Sequence, residues 1–201
     1  MDHIEYFKIG DIFRSTDISR WHAVKTLKNQ NNAEHQFLVT WIADILSKRI
    51  YPQISERQQL DLLRYNLGHD IPEALTGDIA SPTKRALEKY FKGGENPLDD
   101  LESKLCPGYK ILKDKVEGNP LRRISKLADL IEMIVFIHQE GVGEYAEKIE
   151  KNLYRGVDEI IASSYEKYPE LKWNSARKMI EEILKAQGSH LEFEWNASEM
   201  S

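Results

Sequence analysis

The sequence predicts an all-α protein of roughly six to eight helices, and three observations lead there. Apolar residues recur at three- and four-residue spacing through most of the chain. Apolar–polar alternation of the kind that marks strands is absent apart from "HLEFEW" near the C-terminal end. Helix-capping residues stand where the periodic stretches begin, and glycine stands where two of them end.

Taken in order, "AEHQFLVTWIADILSKRI" places Phe37, Leu38, Trp41, Ile42, Ile45 and Leu46 on one helix face, with Asn31 or Asn32 as the N-cap. By the same periodicity Trp41 is a core residue. "SERQQLDLLRYNLGHDIPEAL" reads as a second helix capped by Ser55, with Pro72 marking a kink or a fresh start. "YFKGGENPLDD" and "CPGYK" read as loops. "NPLRRISKLADLIEMIVFIHQEG" is a long apolar helix ending at Gly141, in which Phe136 and Ile137 belong to the core. Two or three C-terminal helices cover 144–188.

A chain of 201 residues, 41% hydrophobic, fits one domain spanning 1–201 with a sizeable core. The formal net charge is −5, with 28 basic and 33 acidic residues well mixed. That balance argues against duplex nucleic acid as a partner, since duplex binding rests on neutralising phosphates with a basic surface. A small nucleotide needs only a few local cations. Cys106 is the only cysteine, so neither an intrachain disulfide nor a cysteine-built metal site is expected. No basic-then-apolar leader opens the chain, and no apolar run nears the roughly 20 residues that span a bilayer. A soluble cytoplasmic protein with no membrane partner is the expectation.

The chemistry gathers in "YNLGHDIPEALTGDIASPTK", Tyr65 to Lys84. On a continuous helix His69 and Glu73, four apart, share a face, while Asp70 points about 100° from its neighbour. His35 and Asp129 lie on two other apolar helical stretches. A carboxylate such as Asp129 is costly among apolar neighbours unless paired or metal-bound. Two imidazoles and two carboxylates match the ligand set of a divalent transition metal. Each residue also has a plainer reading. A lone histidine is more often structural, Asp129 can pair with Arg123 or Lys126, and surface lysines are usually just solvated. Trp21 can be a core tryptophan, and Glu34 can either orient His35 or favour its helix N-terminus through the dipole.

The order His35, His69-Asp70, Asp129 resembles the H…HD…D signature of HD-domain metal-dependent phosphohydrolases, over a core of about 19–137. The words "RWH", "AEHQ", "GHDIPEALTGDIASPTK" and "SKLADLIE" resemble the deoxynucleotide-cleaving branch, which contains bacterial 5′-deoxynucleotidases and phage enzymes that hydrolyse dATP. The resemblance implies a compact multi-helix HD core with His35, His69, Asp70 and Asp129 as metal ligands, for Zn, Mn or Co. It implies Glu73 and Asp70 as the catalytic carboxylates, Glu73 exchanging a proton with water. Arg20, Lys84 and Lys126 would contact phosphate, Asp78 the sugar 3′-hydroxyl, and Trp21 the base, with His22 and Ala23 nearby. The expected reaction cleaves dATP to deoxynucleoside and triphosphate; the alternative releases phosphate from deoxynucleoside monophosphates. A non-catalytic nucleotide-binding or helical interaction module is a third reading. A homo-oligomer, dimer or hexamer, is expected, in the host cytoplasm if the chain is phage-encoded.

Overall fold

The computed structural model describes residues 6–90 and 97–188. Among the described residues there are ten helical segments and no strand, only two isolated bridges. They are α1 (Ile9–Arg14), α2 (Asn32–Ile50), α3 (Glu56–Gly68), α4 (Glu73–Thr76), α5 (Ser81–Tyr90), α6 (Pro97–Leu105), α7 (Pro107–Val116), α8 (Pro120–Glu140), α9 (Glu144–Lys167) and α10 (Ser175–Gly188). "HLEFEW", with Trp195, lies outside the described residues.

The helix starts follow local chemistry. Asn31 caps α2 by accepting from the Glu34 amide, and Ser55 forms a reciprocal capping box with Gln58 at the start of α3. Pro107 and Pro120 occupy first-turn positions of α7 and α8, where a missing N–H costs nothing. "CPGYK" is therefore a helix start rather than a loop, and the described end of "YFKGGENPLDD" opens α6. α8 ends at Gly141, whose amide N–H donates to the Ile137 carbonyl.

α8 is the central element. It packs most extensively against α2 on one side and α9 on the other, with α10 and α3 completing the bundle. Leu121, Ile124, Leu127, Ala128, Ile131 and Ile134 of α8 are buried, the three-and-four spacing of an inward stripe. Val39, Ala43, Leu46 and Ile50 of α2 meet it, as do Val157 and Ile161 of α9 and Trp173 and Met179 near α10. A smaller cluster of Phe136, Ile137 and Ala146 lies at the far end of α8, covered by Trp21 and Val24.

α2 does not face the way its periodicity suggests. Phe37, Leu38, Trp41 and Ile45 are exposed, Trp41 by 57%, so Trp41 is not a core residue. The buried face carries His35, Gln36, Val39, Ala43, Leu46, Ser47 and Ile50. Both faces of this helix carry apolar residues, so spacing alone cannot choose between them. Inward polar groups with distant partners do: His35 meets Glu132 of α8 at 2.6 Å, and Asn32 donates to Glu73 at 2.8 Å. Among the described residues no helix is long and apolar enough to cross a membrane.

Candidate active site

The α3–α4 connection brings the titratable groups together by breaking the helix. α3 ends at Gly68, His69 is its C-cap, and Pro72 precedes the four-residue α4 that begins at Glu73. His69 and Glu73 thus belong to different helices rather than one shared face. Gly77 ends α4 at φ 76°, left-handed backbone that glycine adopts freely, and turns the chain toward Asp78.

His35 and His69 converge from α2 and the end of α3, with ring centroids 5.4 Å apart. Each has its Nδ1 engaged elsewhere. The His35 Nδ1 meets Glu132 Oε2 at 2.6 Å, and the His69 Nδ1–H donates to the Asn66 carbonyl at 2.7 Å. Both Nε2 atoms are buried without a hydrogen-bond partner of acceptable geometry. The Asp129 carboxylate stands 3.1 Å from the His35 Nε2, and one donor atom each from His35, His69 and Asp129 lie within 4.8 Å of one another. Two orphaned imidazole nitrogens and a carboxylate oxygen at this spacing suit a transition-metal ion, which removes the cost of the unpaired nitrogens. Asp70 is adjacent: Oδ1 lies 3.5 Å from the His69 Nε2 and Oδ2 lies 3.6 Å from the His35 Nε2.

The electrostatics are strongly coupled. Burial works against a charge on His35, and Arg20 adds to that, yet the carboxylates of Glu132 and Asp129 outweigh both and raise it to about 9. The carboxylates that hold that proton are the ones that would favour a cation in its place. Burial presses His69 below its ordinary value. Asp70 resists burial and stays well below the usual carboxylate range because His69, Arg20, His35 and Lys84 surround it. Burial, then repulsion from Asp70, pushes Glu73 up to about 8 in spite of Lys84.

Beside this centre a cavity of about 380 Å³ opens, lined by His69, Asp70, Glu73 and Asp129 on one side and by Lys84, Arg122 and Lys126 among others. Lys84 forms an ion pair with Glu73 Oε1 at 2.7 Å, while Asn32 donates to Glu73 Oε2 at 2.8 Å. Tyr65 and Tyr109 form an aromatic wall, and Arg122 donates to the Tyr65 hydroxyl at 2.5 Å. Asp99 and Glu102 of α6 supply negative charge to the same cavity.

The other residues singled out in the sequence are not among those lining this cavity. Arg20 donates to Asp70 Oδ2 at 2.7 Å, so its charge is already paired. Trp21 stacks on Phe136 at 5.7 Å, with its ring nearly parallel. Asp78 faces His22 at 3.8 Å. Glu34 is neither the orienting partner of His35 nor buried; its carboxylate lies 3.8 Å from Lys28. Asp129 is paired with His35 at 3.1 Å rather than with Lys126 or with Arg123, which donates to Ser163 and Ser164.

Sequence reasoning missed Arg122, Glu132 and Gln30. Arg122 carried a signal, since 122, 126 and 129 follow the four-and-three spacing of one helix face. Glu132 carried a weaker one, as a second acid on an apolar stretch, three residues after Asp129. Gln30 carried none; it is a loop residue whose role exists only through Glu132, to which it donates at 2.5 Å.

The bundle turns two imidazoles and a carboxylate toward one point beside a cavity with three cations, the arrangement expected of a metal-dependent hydrolase of phosphate esters. Comparison with known proteins supplies the particular family. The chain belongs to the 5′-deoxynucleotidase YfbR-like family, which matches residues 6–142. It is 33% identical over 194 residues to a dATP triphosphohydrolase of Acinetobacter phage SH-Ab 15497, covering 90% of this chain and 93% of that one. It is also 33% identical to a dATP triphosphohydrolase of Salmonella phage PMBT28, over 68% of this chain and 69% of the relative. In fold it is similar to the Cyanophage S-2L HD phosphohydrolase (DatZ) bound to dA and one catalytic Zn²⁺ ion. That likeness has a TM-score of 0.75 at 22% identity and covers 91% of this chain and 99% of the other.

Proposed function

We propose that the protein, acting through a single HD domain over 1–201, hydrolyses dATP to deoxyadenosine and triphosphate. The observation that carries the reading is the pair of orphaned imidazole nitrogens beside a cavity holding Lys84, Arg122 and Lys126. The two dATP triphosphohydrolases at 33% identity support the choice of substrate. His35, His69 and Asp129 would hold a divalent ion, with Asp70 as the fourth ligand; zinc is favoured by imidazole and carboxylate donors and by the ion bound in the cyanophage protein. When bound, such an ion supplies Lewis-acid charge to phosphoryl oxygens and lowers the pKa of water.

The protein's own groups do the rest. Water attacks the α-phosphorus, the bond from phosphorus to the sugar 5′-oxygen breaks, and triphosphate remains among the cations. Lys84 and Lys126, with Arg122, bind the phosphate chain and offset charge that grows on its oxygens. Arg20 clamps Asp70 in place rather than meeting phosphate freely. Glu73, buried between Lys84 and Asn32, exchanges the proton. Trp21 offers an aromatic platform to the base and Asp78 an acceptor for the 3′-hydroxyl.

Three cations along one cavity suit a chain of three phosphates better than a single one, which sets this reading above the monophosphatase alternative. Incubation with each dNTP and dNMP, with products separated by ion-exchange chromatography, tests it directly. The expected products from dATP are deoxyadenosine and intact triphosphate. Orthophosphate release from dAMP, with dATP untouched, would make the enzyme a 5′-deoxynucleotidase instead.

Sugar selectivity follows from Asp78. A short carboxylate on the 3′-hydroxyl leaves little room for a neighbouring 2′-hydroxyl, so dATP should be strongly preferred to ATP. Asp78→Ala should erode that preference, measured as the ratio of kcat/KM for the two substrates. Equal wild-type values for dATP and ATP would remove Asp78 from the sugar site.

A cytoplasmic, homo-oligomeric enzyme that does not bind duplex nucleic acid belongs to the same reading. The net charge of −5 supports the last point. The exposed stripe of Phe37, Leu38, Trp41 and Ile45 supports self-association, since exposed apolar patches mark interaction surfaces.

A further inference from the structure

We propose that Gln30 and Glu132 are positioning residues that join the metal centre to the base platform through one buried hydrogen-bonded chain, running from Trp21 to His35. What binds at the two ends rests on the functional reading above; the chain itself rests on distances.

Its polarity is set from one end. An indole N–H can only donate. The Trp21 Nε1–H donates to Gln30 Oε1 at 2.9 Å, which fixes the orientation of the amide without ambiguity. The Gln30 Nε2–H must then point the other way, and it donates to Glu132 Oε1 at 2.5 Å. That leaves Glu132 Oε2 for the His35 Nδ1, at 2.6 Å. A carboxylate there accepts a proton-bearing Nδ1, so the His35 Nε2 is directed at the centre shared with His69 and Asp129. Trp21 and Gln30 thus hold in place the carboxylate that keeps the His35 Nε2 free for metal. Gln30 and Glu132 are each 2% exposed and His35 is 0%, so water has little access to replace a missing link.

The platform end is held with equal care. Trp21 has φ 60°, a left-handed backbone that a bulky residue adopts only when its surroundings impose it. Three contacts do so. Its ring stacks on Phe136, its N–H reaches Gln30, and its carbonyl accepts from the Val24 amide at 2.8 Å. The Arg20 amide donates to the Gln30 carbonyl at 2.9 Å, which ties the two ends of this loop together beside Trp21. Asp129, Glu132 and Phe136 lie at i, i+3 and i+7 of α8, on one face. A single rigid helix thus carries the metal ligand, the imidazole's partner and the tryptophan's stacking partner, spread over about 10 Å of its axis. A base that shifts the indole acts on Gln30, and through Glu132 on His35. By linkage, metal and nucleoside must affect each other's affinity by the same factor.

The test uses the whole chain, zinc alone and 2′-deoxyadenosine alone. Zinc affinity is measured by competition with a chromophoric chelator, without nucleotide, in wild type, Gln30→Met and Trp21→Phe. Trp21→Phe keeps an aromatic face for stacking but removes the N–H, so a residue that merely stacks or fills space leaves zinc affinity unchanged. The chain predicts that zinc affinity falls about 10-fold in both variants, the low end for loss of a group behind a metal ligand. It also predicts that deoxyadenosine tightens zinc binding in wild type and that this gain is lost in both variants. If Gln30→Met fails to fold, Trp21→Phe carries the test, because Trp21 is only partly buried. Wild-type zinc affinity in Trp21→Phe overturns the chain and leaves the enzyme reading intact. A wild-type protein that takes up no zinc overturns the metal reading itself, and this inference with it.

Discussion

Replacing His69 by alanine is expected to yield a folded chain that no longer retains zinc and no longer cleaves dATP. His69 is half of the orphaned pair, with its Nδ1 already committed to the Asn66 carbonyl. Its Nε2 is therefore the nitrogen left to face the centre. With His69 gone, His35, Asp129 and Asp70 remain, one nitrogen and two carboxylates, one ligand short of the set and with only one of the two imidazoles that zinc favours. Folding should survive because His69 lies at a helix end, in the cavity wall rather than inside the main apolar core. Metal content by mass spectrometry, with the far-ultraviolet circular dichroism spectrum as a folding check, decides the matter. A folded variant with full zinc content would remove His69 from the centre. Asp129→Ala should behave in the same way. Asp70→Ala should also release Arg20, whose charge has Asp70 as its close partner.

The second large effect belongs to Glu73, and it should separate proton transfer from metal binding. Glu73 is 3% exposed, with Lys84 on one oxygen and Asn32 on the other. Burial and Asp70 raise it to about 8, so near neutrality it can hold a proton or release one, the condition for acid–base work. Glu73→Gln keeps the volume but cannot exchange a proton. Turnover of dATP should fall about 10²–10⁴-fold, with zinc retained and nucleotide still bound. Single-turnover rates beside calorimetric binding measure both. Undiminished turnover with zinc in place would move the acid–base role away from Glu73. An affinity loss as large as the rate loss would make Glu73 a structural partner of Lys84 instead.

The helical class was legible because three-and-four spacing survives in α8 and α9 whatever their neighbours are. The starts of α2 and α3 were legible because Asn31 and Ser55 act within a few residues of themselves. His35, His69 and Asp129 were legible as a set because imidazoles and a carboxylate on apolar helices ask for a common partner, and the order of the motif supplied their grouping. Pro72 signalled the break that places Glu73 at the start of its own short helix.

Local chemistry along the chain accounts for the helical class, for the starts of α2 and α3, and for the residue types of the candidate metal site. Packing between distant helices chose which face of α2 turns inward. Both faces carry apolar residues, and the choice rests on His35 finding Glu132, 97 residues away in the chain. Packing likewise holds Arg20 against Asp70, brings Arg122 to the cavity, and puts Gln30 between Trp21 and the Glu132 that meets His35. One cause underlies all of them. Periodicity and capping are local, set by neighbours within a turn or two. A buried polar group is satisfied only by whatever the packing of distant helices brings within hydrogen-bonding distance.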